Sequence, residues 1–134
     1  MKLKRIAGLF FSFSLLSLLF VAWWLRVAII DWWRLRNYSP PAEVISLADA
    51  TAMNDFGRKV FYVNHPKIEK NTEEFRKECP QGEKSIVLGC YRSPQLGIVV
   101  YDVTDPRLEG VEEVTAAHEM LHAAYDRLDS SEKI

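Results

Sequence analysis

The sequence predicts an α+β chain: an N-terminal transmembrane helix, then a small domain with a short antiparallel sheet and a C-terminal helix bearing H-E-x-x-H. Three observations carry that expectation. Residues 6–25 form an uncharged run of twenty. Residues 85–91 (SIVLGCY) and 96–103 (LGIVVYDV) are rich in β-branched and aromatic residues and flank the turn-like RSPQ. Residues 111–128 (VEEVTAAHEMLHAAYDRL) repeat apolar positions at helical spacing and hold His118, Glu119 and His122.

Composition narrows the field. The chain has 134 residues, 49 % of them apolar, and is too short for two full domains. Its net charge of −1 hides an asymmetry. Residues 1–36 hold six Lys/Arg against one Asp, whereas residues 37–134 hold eleven Lys/Arg against seventeen Asp/Glu. An acidic domain of this kind argues against nucleic acid as a partner, because phosphate backbones demand a basic surface.

Residues 1–36 read as a membrane anchor and juxtamembrane helix. Twenty helical residues at 1.5 Å each span the ~30 Å hydrocarbon core of a lipid bilayer. Lys2, Lys4 and Arg5 precede the run; Trp23 and Trp24 sit near its end, as interfacial anchors do, and Arg26 can snorkel there. Trp32, Trp33, Arg34 and Arg36 follow, so the helix is expected to continue as a tilted or interfacial extension. A cleaved signal peptide is the rival reading. The run is long for one, and no small-x-small site follows it before the Trp pair. A single-pass anchor is therefore preferred, and the basic flanks lean towards a cytoplasmic N-terminus and an extracytoplasmic domain.

The domain, residues 42–134, follows a stiff linker at 37–41 (NYSPP). Residues 42–54 read as a helix with Val44, Leu47, Ala48 and Thr51 on one face, closed by Gly57 as a C-cap. Residues 59–64 (KVFYVN) read as a strand ended by His65-Pro66. Asn71, with Glu74 three residues on, marks the start of a short helix. Residues 79–82 read as a loop. The runs at 85–91 and 96–103 should pair as a hairpin. Cys79 and Cys90, the only cysteines, are either a disulfide, which fits an extracytoplasmic domain, or two reduced thiols.

The last helix carries the chemistry. Four residues is just over one turn, so His118 and His122 project from one face and can grip one Zn²⁺, with Glu119 able to reach a water at the metal. A helical wheel sets Val114, Ala117, Leu121, Ala124 and Leu128 towards a core and Thr115, His118, Glu119, His122 and Asp126 towards a cleft. The alternative is an exposed helix with two solvated histidines.

The stretch TAAHEMLHAA resembles the active-site helix of the zincin metallopeptidases, and HEMLHAAYD resembles its thermolysin-type version, with Asp126 four residues after the second His. The resemblance covers about 15 residues of the helix and a plausible strand before it. It implies a zincin-like fold, zinc on His118 and His122, Glu119 as general base, and a peptide or protein substrate. It also implies that Ile98, Val99, Val100 and Tyr101 form an edge strand that pairs with substrate; a buried core strand is the other reading. A catalytic zinc needs a third protein ligand. In the gluzincin branch that ligand is a Glu on a later helix, and this sequence stops twelve residues after His122, which reads as a fragment of a longer peptidase. The metzincin branch is excluded, because Tyr125 and Leu128 occupy its Gly and His positions. Asp126 lies too far along the axis to share a metal with His118, and is expected to hold His122 or cap a turn. His65 is a further candidate ligand. Two other readings stay open: a non-catalytic binding or regulatory module that keeps the helix, and a membrane-tethered structural domain.

Overall fold

The computed structural model describes residues 2–80 and 87–133, with the side chains of residues 2–7 and 9 outside the description. The chain forms two units, residues 1–37 and 38–134. The first holds α1 (Lys2–Trp24) and α2 (Arg26–Leu35). The basic flank Lys2, Lys4 and Arg5 falls outside the described side chains. Among the described residues no single helix is long and apolar enough to cross a membrane. Phe10–Trp24 and Arg26–Leu35 meet that standard together, bent by 64° at Leu25.

The second unit is an α+β domain with α3 (Ala42–Ala50), α4 (Asp55–Val63), β1 (Lys67–Glu69), α5 (Thr72–Glu78), β2 (Gly89–Arg92), β3 (Gly97–Tyr101), a 3₁₀ turn (Pro106–Leu108) and α6 (Val111–Tyr125). Val44, Leu47 and Ala48 of α3 are buried, as their spacing predicts. In α5 the Asn71 carboxamide accepts from the backbone N–H of Glu73 (2.8 Å) and Glu74 (3.2 Å), the expected cap.

Residues 59–64 are a correction: they are the second half of helix α4, not a strand. Asn54 caps it by accepting from Gly57 N–H at 2.8 Å, so Gly57 lies in the first turn and ends nothing. Gly57, Val60, Phe61 and Asn64 are all buried, which is the i, i+3, i+4, i+7 stripe of a helix. That stripe outweighs the β-propensity of VFYV.

The sheet is mixed rather than purely antiparallel, in the order β1-β3-β2. The expected hairpin forms: β2 pairs antiparallel with β3, Arg92 opposite Gly97 and Gly89 opposite Val100. Residues 85 and 86, expected as part of the first strand, lie outside the described residues. β1 pairs parallel with β3, Lys67 opposite Val99. β3 therefore sits in the middle, and Ile98, Val99, Val100 and Tyr101 are not an edge. Its alternation serves two cores. Ile98 and Val100 join α3, α4 and α6 with Val44, Val60, Phe61, Ala116 and Ala123. Val99 faces Phe75 and Cys79 on the other side. Cys79 and Cys90 are joined as a disulfide, tying the end of α5 to β2.

Candidate metal site

The site is built on α6. Gly110 precedes it at φ +86°, a left-handed conformation that glycine adopts without steric cost. Glu112 in the first turn accepts from Val103 N–H at 2.5 Å and so fixes the loop that leads in from β3. Burial pushes the Glu112 carboxyl above its usual value, with the Val103 bond opposing. The Thr115 hydroxyl donates to Val111 O at 2.7 Å, which keeps its methyl turned to the sheet side.

The orientation of α6 corrects the helical wheel. Its buried stripe is Ala116, Glu119 and Ala123. Val114 is 72 % exposed and Leu121 60 %, and Tyr125 and Leu128 are exposed as well. The centre of this stripe lies about 150° around the helix from the one that hydrophobicity alone favours, although Ala124 still packs on the core. Close packing decides this. Ala116 and Ala123 let the helix axis approach the core, where leucines would hold it away.

The turn sorts the three motif residues. His118 and His122 face solvent, whereas Glu119 is turned inward and only 8 % exposed. The imidazoles converge: Nε2 of His118 and Nε2 of His122 are 3.0 Å apart, with ring centroids 4.6 Å apart and planes at 90°. Two nitrogens bound tetrahedrally at ~2.0–2.1 Å to one zinc stand about 3.3 Å from each other. At 3.0 Å the two nitrogens are within hydrogen-bond distance of each other, a few tenths of an ångström closer than a shared zinc would hold them. Among the described residues no group of three or more His, Cys, Asp or Glu is placed to hold a metal. His65 stacks on Tyr38 at 4.3 Å, and Tyr38 and His65 form a separate aromatic pair.

A cleft beside the pair is lined by Val87, Leu88 and Gly89 on one side and Val114, Thr115, His118 and Glu119 on the other. β2 and α6 come close because residue 89 is glycine. A Cβ there would collide with Thr115 Cγ2 and stand 3.1 Å from Glu119 Cγ and 3.2 Å from Val99 O. Sequence reading took 85–91 as a hairpin strand and missed its role beside the motif; the clue was a Gly inside a β-rich run, a sign of close approach.

Asp126 stands at the C-cap of α6. Its carboxylate accepts from Tyr91 Oη at 3.0 Å and Ser93 Oγ at 2.5 Å, which clasps the end of α6 to the β2–β3 hairpin. The Ser93 bond holds this carboxyl below the usual aspartate value, with Tyr91, Lys133 and His122 adding to it against partial burial. No protein-family model, curated protein or solved structure matches this chain.

Proposed function

We propose that this chain is a membrane-anchored, zinc-dependent metallopeptidase-like hydrolase of peptide bonds, with its site at His118, Glu119 and His122. The 3.0 Å approach of the two Nε2 atoms carries the reading: one helical turn brings both imidazoles together, where a single ion could take the place of the hydrogen bond between them. His118 and His122 are the residues that would hold the metal. Zn²⁺ bound there would polarise the scissile carbonyl and acidify the attacking water. Glu119 is the carboxylate that would accept a proton from the attacking water and return it to the leaving amine. Its packing against Gly89 and its place in the lining of the cleft beside His118 support that role.

The substrate partner is an extended peptide or protein segment laid along β2, in place of the β3 edge expected from sequence. β2 is the outer strand on the cleft side of the sheet, and an outer strand offers backbone N–H and C=O groups for pairing. Residues 6–25 anchor the chain in a lipid bilayer, with the N-terminus cytoplasmic and the domain extracytoplasmic. The Cys79–Cys90 disulfide supports that side of the membrane, because such bonds persist in oxidising compartments.

The test is zinc content and peptide hydrolysis by the full chain in detergent. Glu119→Gln should keep zinc and lose hydrolysis; His118→Ala and His122→Ala should lose both. Zinc retained after both histidines are removed would refute the site, and hydrolysis by Glu119→Gln at the wild-type rate would refute the role of the base. A second reading, a binding or regulatory module that holds the metal without turnover, is favoured by the convergence of only two donors among the described residues. Zinc binding without hydrolysis in the wild-type chain would select it.

A further inference from the structure

Helix α2 has a sided surface that the hydrolase reading does not use. At 100° per residue, Trp32, Ile29, Trp33 and Ile30 fall on one continuous arc of about 160°. Arg26 and Arg36 lie on the same arc at the two ends of the helix, and Asp31 and Arg34 lie on the opposite side. The arc is open: Trp32 is 62 % exposed, Trp33 61 %, Ile29 48 % and Ile30 44 %. Both terminal cations rest on indole rings. The Arg36 guanidinium stands 3.9 Å from the Trp33 centroid, and that of Arg26 stands 4.6 Å from Trp23. Trp with Arg at one level is the composition of a membrane–water boundary.

We infer that α2 lies along the surface of an anionic phospholipid bilayer, its Trp and Ile side chains in the acyl boundary and Arg26 and Arg36 among the phosphates. The inference rests on the proposed membrane attachment of residues 6–25, and is independent of zinc and of hydrolysis. Charge selects the occupant. A second copy pairing through this arc would bring arginine to arginine, whereas a phosphate layer neutralises both. Geometry sets the depth. Trp33 is nine residues beyond Trp24, ~13.5 Å if the helix ran straight. With α1 along the bilayer normal, the 64° bend cuts that rise to about 6 Å, which keeps all four tryptophans in one interfacial layer.

The experiment uses the full chain in phosphatidylcholine vesicles with and without phosphatidylglycerol. Single-tryptophan variants retain one of Trp23, Trp24, Trp32 or Trp33, the four in the chain. Quenching by lipids brominated at graded depths should place Trp33 within about 6 Å of Trp24 along the normal. Phosphatidylglycerol should shield Trp32 and Trp33 further from aqueous acrylamide, by about fivefold in the surface-bound equilibrium for each arginine engaged. Arg26→Gln with Arg36→Gln should remove that gain. Trp32 and Trp33 open to acrylamide while Trp23 and Trp24 are quenched by lipid would overturn the inference alone. Shielding equal in both vesicle types would overturn the anionic preference. Failure of every tryptophan to be quenched by lipid would overturn the membrane attachment as well.

Discussion

Replacing Gly89 by alanine tests how tightly the sheet and α6 are pressed together at the site. The added Cβ meets Thr115 Cγ2, Glu119 Cγ at 3.1 Å and the Val99 carbonyl at 3.2 Å. The carbonyl belongs to the central strand and cannot move without breaking the sheet. Thr115 is held by its bond to Val111 O at 2.7 Å, so its methyl cannot swing away freely. Overpacking of this kind costs about 1–3 kcal/mol. For a domain of some 100 residues each kcal/mol moves Tm by about 4–8 °C, so a drop of roughly 5–20 °C is expected by calorimetry or circular dichroism. Thr115→Ser removes the colliding methyl and keeps the hydroxyl bond. In the Gly89→Ala background it should recover at least half of the loss, a coupling that a double-mutant cycle reads directly. A Tm within the error of wild type would show that β2 and α6 do not meet as described. No rescue by Thr115→Ser would place the collision on Val99 instead.

Further outcomes follow from the packing. Cys79→Ser with Cys90→Ser opens a loop of 11 residues and should lower stability by about 3 kcal/mol, checked by denaturant titration with and without reductant. Leu121→Ser should change stability by no more than about 0.5 kcal/mol, because its side chain is exposed, whereas Ala123→Leu should cost about 1–3 kcal/mol; the reverse ranking would restore the wheel orientation. Asp126 is held below its usual value in the fold, so the unfolded chain binds the proton first as pH falls. Its contribution is full above the unfolded aspartate value of about 3.9 and is lost as pH falls through the lower, folded value. Asp126→Asn should flatten the stability profile in that acid range, measured by urea unfolding.

The parts of the fold that sequence exposed were those with local causes. Asn71 had its cap geometry written three residues ahead, and Val44, Leu47 and Ala48 had one helical face. The β2–β3 hairpin had two β-rich runs and a turn between them. What stayed hidden depends on partners far along the chain. VFYV prefers strands in isolation, yet a cap at Asn54 and a buried stripe through Asn64 make it helical. β1 is three residues of Lys, Ile and Glu, with no run long enough to show a period. The spacing of His118 and His122 was legible because one helix sets it. The burial of Glu119 was not, because it depends on Gly89, thirty residues away and on another element.

The parallel pairing of β1 with β3 also orders assembly. Hairpin partners Arg92 and Gly97 are 5 residues apart, whereas Lys67 and Val99 are 32 apart. Closing the longer stretch carries about 1.6 kcal/mol more loop entropy, so the hairpin offers a ready template to which β1 attaches late. The bond between residues 79 and 90 lies inside that crossover and bypasses 11 residues of it. Oxidation therefore shortens the search for the strand that arrives last, and a reduced chain would be caught most often with its sheet one strand short.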